Sequence, residues 1–163
     1  MSADDHEIIK PPSTLKGKVS YGPDGVNPDV LDKAEALIAG MQGDYLEWVQ
    51  DDLKKAQEFF DRAVADAAGR MGHLKEVYHV AHDIKGQGGS FGYPLMTAIA
   101  NQLCRYLEHL EEAATADLDL VKVHIDALRL VIGSRMQGDG GTAGANIMRG
   151  LEAVIAKRAA RTS

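Results

Sequence analysis

Between residues 44 and 68 apolar side chains return at three- and four-residue intervals: Tyr45, Leu46, Val49, Leu53, Ala56, Phe60, Ala63, Val64 and Ala67. Glu47, Asp51, Lys54, Glu58 and Asp61 fill the opposite side, which predicts one strongly amphipathic helix. Upstream, Asn27-Pro28-Asp29 supplies an N-cap candidate, a proline for the first helical position and an acid in the first turn. A separate first helix is therefore expected from there to about residue 42, ended by Gly40 and Gly43. Gly69 and Gly72 bracket the turn after the second helix. A third helix is predicted over 73–91 and stops at Gly92-Tyr93-Pro94, since the residue before proline is pushed out of the helical region. The fourth is predicted over 95–114, with Leu95, Ile99, Leu103, Tyr106 and Leu110 inward and Asn101, Arg105, Glu108 and Glu112 outward. The fifth covers 118–136 and the last 145–158, with a glycine-rich stretch, 138–144, between them.

No strand signal and no internal repeat interrupts this series. Long helices joined by short turns favour antiparallel neighbours, so the expected class is all-α: an antiparallel up-and-down four-helix bundle with additional flanking helices. The bundle is assigned to 29–160. Residues 1–28 read differently, because Pro11, Pro12, Gly17, Gly22, Pro23, Gly25 and Pro28 leave no helical period. They are expected to form an extended N-terminal arm that Ile8, Ile9, Leu15 and Val19 could dock. The low aromatic content, three Phe, one Trp and five Tyr, suits helices better than sheets. A formal net charge of −6 argues against a nucleic-acid partner, which calls for a basic stripe. Cys104 is the single cysteine, so an internal disulfide and the multi-cysteine zinc patterns are excluded. The acidic, polar start lacks a secretory apolar region, and no run of about 18 apolar residues occurs. A cytoplasmic protein with no membrane partner is expected.

The chemistry concentrates in residues 78–92, Tyr-His-Val-Ala-His-Asp-Ile-Lys-Gly-Gln-Gly-Gly-Ser-Phe-Gly. On a helix turning about 100° per residue, Val77, Val80, Ala81, Ile84, Gly88 and Phe91 gather on a core face and His82 points away from it. Lys75, Tyr78, His79, Lys85, Gly86 and Gly89 flank His82. Glycine in a helix interior costs up to about 1 kcal/mol relative to alanine, so Gly86, Gly88 and Gly89 together require a reason. Gly88, on the core side, is expected to let a neighbouring helix approach. Gly86 and Gly89 are expected to clear a landing surface beside His82.

His82-x-x-Lys85-Gly86-x-x-x-x-x-Gly92 resembles the signature of histidine-containing phosphotransfer (HPt) domains, and all four positions agree. The resemblance is specific within about 80–92 and looser over 44–115. It implies a phosphorelay intermediate of two-component signalling. His82 would accept a phosphoryl group from a receiver-domain phosphoaspartate, or from a hybrid histidine kinase, and pass it to another receiver. Lys85, one turn along, would stabilise the phosphate oxygens. The candidate partner-binding residues are Gly86, Gly89, His79, Tyr78, Arg105 and Glu108, with Lys75 and Tyr93 as further contacts. The chain would be a phosphocarrier rather than an enzyme, without autonomous kinase activity, because it shows no nucleotide-binding region. No cofactor is expected on it; Mg²⁺ would belong to the partner receiver domain of a response regulator or hybrid kinase.

Two other readings stand beside this one. Glu76-x-x-His79-x-x-His82 sets three possible metal ligands on neighbouring turns, although di-iron bundles use Glu-x-x-His twice and no second copy occurs here. A non-catalytic interaction bundle is the third. The stretch 138–144 lacks the preceding strand and the Gly-Lys-Ser/Thr ending of a phosphate loop and is read as a flexible linker. His124 falls among Val121, Ile125, Leu128 and Val131 and is expected in the core, while Cys104 lies between the polar and apolar sectors of its helix and is expected to be packed and inert. Leu120, Val123 and Leu130 face away from the main stripe of the fifth helix. The last helix can cover them within a monomer, the favoured state; a dimer is the alternative.

Overall fold

A computed structural model describes Gly25 and residues 27–162, and the arm expected over 1–28 lies almost wholly outside them. Five helices follow one another: α1 (Pro28–Ala65), α2 (Arg70–Gly88), α3 (Pro94–Glu108), α4 (Thr115–Gly133) and α5 (Gly141–Thr162), with one 3₁₀ turn over Gly89–Phe91. By compactness the chain divides into two units, Met1–Ile38 and Ala39–Ser163. In the first, Asn27 caps α1: its Oδ1 accepts the Asp29 N–H at 3.0 Å and its carbonyl accepts that of Val30 at 3.0 Å. The rest concerns the second unit.

The helix break expected at Gly40 and Gly43 does not occur; both lie inside α1. An isolated glycine weakens a helix without ending it, and no proline follows to stop it. The other boundaries differ by a few residues. α3 ends at Glu108 rather than 114, α4 begins at Thr115, and α5 runs from Gly141 rather than 145.

Two core layers define the topology. One joins Tyr45, Val49 and Leu53 of α1 to Ile84 of α2, Leu95, Met96, Ile99 and Ala100 of α3, and Leu128, Val131 and Ile132 of α4. The other joins Ala56, Phe60 and Ala63 to Leu74, Val77 and Ala81, then Leu103, Cys104 and Leu107, then Leu118, Val121 and Ile125. Residue numbers rise from the first layer to the second in α1 and α3 and fall in α2 and α4. The four helices therefore run up, down, up and down, as the short connections require.

The closest approach is between α2 and α3, at Gly88. A Cβ there would stand 2.7 Å from Thr97 Oγ1, 2.8 Å from the Tyr93 carbonyl and 3.0 Å from the Thr97 nitrogen. Into that notch Thr97 sends its hydroxyl, which donates to the Lys85 carbonyl and accepts the Gly89 N–H, both at 3.0 Å. It thus bridges the two backbone groups that an α-helix pairs directly, just where α2 tightens into the 3₁₀ turn. Gly92 follows at φ +84°, a left-handed position that favours glycine, and Tyr93 N–H returns to the Gly88 carbonyl at 2.8 Å.

α5 is fastened at both ends. Gly138 donates to the Gly92 carbonyl at 2.9 Å and accepts Leu95 N–H at 3.3 Å, so 138–144 is pinned to the α2–α3 turn and is not a free linker. At the other end Arg158 reaches Asp117, which is 1% exposed, through Nε at 2.7 Å and Nη2 at 3.1 Å. The Tyr106 hydroxyl and the Ala114 N–H also donate to Asp117. Burial alone would raise the Asp117 carboxyl, but the bonds from Arg158, Tyr106 and Ala114 outweigh it and hold the group below its usual range. Leu120 is buried, whereas Val123 and Leu130 remain exposed, so α5 covers only part of the outer α4 face.

His124 is fully buried, as expected. Burial depresses its pKa against the opposing pull of the Leu120 carbonyl, which accepts from Nδ1 at 2.8 Å. Nε2 lies 3.1 Å from Gln102 Oε1; because a neutral ring that donates from Nδ1 accepts at Nε2, the Gln102 amide is assigned the flipped orientation, with its NH₂ group donating.

Three outcomes are expected from equilibrium urea unfolding. Gly88→Ala should lose about 1–3 kcal/mol, because backbone on the opposing helix cannot yield as a side chain would. Asp117→Ala should lose roughly 3 kcal/mol, since it strands a guanidinium, a hydroxyl and an N–H. Because the unfolded His124 takes up a proton that the folded ring refuses, its contribution is present above about pH 6.5, the unfolded value, and is lost as pH falls from there through the lower pKa of the folded ring. The stability loss between pH 7.5 and 5 should shrink in His124→Gln; an undiminished loss would assign it to other groups.

Candidate functional site

α2 presents one face to the core and the other to solvent. Leu74, Val77, Ala81, Ile84 and Gly88 are buried, while Lys75, His79, His82, Asp83, Gly86 and Gly89 are exposed. The period of the sequence thus gave the correct phase, and His82 stands on the outer side. Among the described residues neither ring nitrogen of His82 has a hydrogen-bond partner. Its imidazole packs on Tyr78, one turn earlier, with ring centroids 6.0 Å apart and planes tilted by 37°.

Lys85 lies one turn beyond His82 and is half-buried, with its carbonyl held by Thr97. The two outer glycines differ from Gly88. A Cβ at Gly86 would meet nothing within 4 Å, and one at Gly89 would meet only Thr97 Oγ1 at 3.9 Å. Bare backbone therefore adjoins His82 without any packing demand from this chain's described residues.

Tyr78 belongs to a second feature of this face. Its hydroxyl crosses to α3 and donates to Glu108 Oε1 at 2.8 Å. That bond, then burial, raises the Tyr78 hydroxyl above its ordinary range and keeps it a donor. The ring also meets His79 edge-on, with centroids 5.7 Å apart. Below it runs a groove of about 460 Å³ between α2 and α3, lined by Met71, Leu74, Lys75 and Leu107 as well as Tyr78 and Glu108. Beneath the same face Cys104 is 1% exposed; burial above all pushes its thiol up to about 11, so it stays protonated.

The structure brings His82, Lys85, Gly86, Gly89, His79, Tyr78 and Glu108 onto one face. Two expected contacts fall elsewhere. Tyr93 is 1% exposed and packs on Tyr45, with centroids 5.6 Å apart, so it offers nothing to a partner. Arg105 lines a different groove, between α3 and α5, with Asn101, Tyr106, His109, Met148 and Ile155. Thr97 was not anticipated: its role depends on a notch that only the packed hairpin creates. For the metal reading, no three His, Cys, Asp or Glu side chains converge to hold an ion among the described residues. No helix among them is long and apolar enough to cross a membrane.

The family model described as the Hpt domain matches residues 40–131. No curated protein and no solved structure matches the chain. The match spans more than half of the sequence and runs from within α1 to within α4, the four helices of the bundle. Such domains serve phosphotransfer in two-component signalling and meet receiver domains there. On its four-helix core and this match, the chain belongs to the Hpt domain family.

Proposed function

We propose that this chain is a phosphorelay carrier with His82 as its phosphoacceptor. An unpaired ring nitrogen of His82 attacks the phosphorus of a receiver's phosphoaspartate. The N–P bond forms as the acyl-phosphate P–O bond breaks and the aspartate carboxylate leaves. A second receiver then reverses the step: its aspartate attacks phosphorus and the imidazole departs. Such transfer is chiefly a matter of positioning and charge stabilisation. Lys85 supplies a cation one turn from the phosphoryl group, and any Mg²⁺ belongs to the receiver. The chain's own contribution is a nucleophile, a charge and an accessible surface, with no kinase activity of its own.

The observation that carries this reading is the pairing of an exposed, unbonded imidazole with two bare glycines, Gly86 facing open space and Gly89 with only Thr97 Oγ1 near, at 3.9 Å. Helix stability is forgone at Gly86 although nothing in the described residues requires it, which fits close approach by another protein.

His82→Gln should keep its helical circular dichroism and take up no label from a phosphorylated receiver. Label persisting in that variant would remove His82 as the acceptor. Lys85→Ala should slow transfer roughly tenfold, the value of about one charge-assisted hydrogen bond. At Gly86, alanine should raise the free energy of urea unfolding by up to about 1 kcal/mol, whereas Gly86→Leu should fold but transfer slowly. A Gly86→Leu protein as fast as wild type would show that the receiver does not close over this surface.

A further inference from the structure

We infer that Tyr78, anchored by Glu108, is a positioning residue that fixes the orientation of the His82 ring for phosphoryl transfer. This rests on His82 being the acceptor, as proposed above, and assigns the pair a role beyond contact with a partner.

An imidazole on an outer helix face turns about two side-chain bonds, and in-line attack on phosphorus uses only a narrow part of that range. A hydrogen bond to one ring nitrogen would ordinarily set the orientation, but neither nitrogen of His82 has such a partner among the described residues. Packing is what remains, and the packed neighbour is the Tyr78 ring at 6.0 Å. The four-residue spacing stacks the two side chains on one side of α2.

A free tyrosine would turn as readily as the histidine it supports. Tyr78 is held at its far end, because its hydroxyl is bonded at 2.8 Å to a carboxylate 30 residues away on α3. Leu74 and Leu107, both buried, lie beneath it in the groove. The ring is thus fixed by a polar bond at its tip and apolar contact along its flank, and α3 controls the side chain against which His82 rests. The other aromatic neighbour, His79, meets the Tyr78 ring edge-on from the same helix and adds no link to α3.

Full-length Tyr78→Phe and Glu108→Ala should each lower the maximal transfer rate roughly five- to tenfold at saturating phosphoreceiver, with the half-saturating concentration little changed. Glu108→Gln keeps an oxygen that accepts the tyrosine proton and should restore most of the rate. The double variant Tyr78→Phe/Glu108→Ala should be no slower than either single one, because both remove the same bond. Independently of any phosphate, the ¹H and ¹³C signals of the His82 ring should move toward free-histidine values in Tyr78→Phe and Glu108→Ala and hold in Glu108→Gln. Unchanged maximal rates, a loss confined to half-saturation, or a Glu108→Gln protein as slow as Glu108→Ala would overturn the inference. A wild type that takes no label would instead overturn the phosphorelay reading on which it stands.

Discussion

A hydroxyl seated between two backbone groups of a neighbouring helix permits little rotation and little sliding. That is the situation of Thr97, whose Oγ1 bonds to the Lys85 carbonyl and the Gly89 N–H through the gap left by Gly88. The apolar layers of the bundle tolerate small shifts, because hydrophobic contact has no preferred direction. The Thr97 bridge does not tolerate them. It fixes both the phase and the height of α2 against α3 one turn from His82, and the outward aim of His82, Lys85 and Gly86 follows from that phase. It also satisfies backbone at the point where α2 gives way to the 3₁₀ turn, a region in which helices otherwise leave carbonyls unpaired.

The glycines of this segment serve three physical ends. Gly88 is bare because α3 occupies the volume of its Cβ, and Gly92 because its backbone is left-handed. Both would be needed by the folded chain alone. Gly86 has open space before it, Gly89 meets only Thr97 Oγ1 at 3.9 Å, and the helical backbone of neither needs glycine. At Gly86 the effect on the fold is only to weaken α2. These two adjoin the exposed imidazole, and under the relay proposed above their bareness leaves room for a receiver. The geometry thereby separates the two glycines that the folded chain requires from the two that it does not, although all four stand within seven residues.

Periodicity made much of this legible from sequence. The outward phase of His82, the inward phase of His124 and the close approach at Gly88 all follow from spacing along one helix, and four-helix up-and-down topology follows from short connections. Errors arose where a local signal was overridden or where the decisive partner was distant. Gly40 and Gly43 looked like a stop, yet the residues around them favour helix strongly enough to carry α1 through. The 138–144 stretch looked free because its glycines are visible in sequence, while its bonds to Gly92 and Leu95 lie more than 40 residues away. Tyr78 and Glu108 were both legible as surface candidates, but not as a bonded pair, because no local rule joins positions 30 apart. Tyr93 was placed outside by its nearness to the signature, whereas the turn at Gly92 swings it into the core with Tyr45.

Polar satisfaction is uneven across the bundle: on α1 the Tyr45 hydroxyl and Gln57 Oε1 are buried without a partner among the described residues. On the α4 side each buried polar group has a full set of partners: Asp117 accepts from a guanidinium, a phenol and an amide, and both nitrogens of His124 are bonded. Burying such groups without partners would be costly, so saturation there is a condition of folding. His82 is in the opposite state, exposed and with its ring nitrogens unbonded among the described residues. Under the proposed relay, a nitrogen already engaged as an acceptor would have no lone pair to offer phosphorus, so the site would need to stay unsaturated where the core does not. On that proposal, anchoring the neighbouring phenol rather than the imidazole itself would reconcile the two demands: orientation would come from a bond one residue removed, and the nucleophile would keep its lone pair.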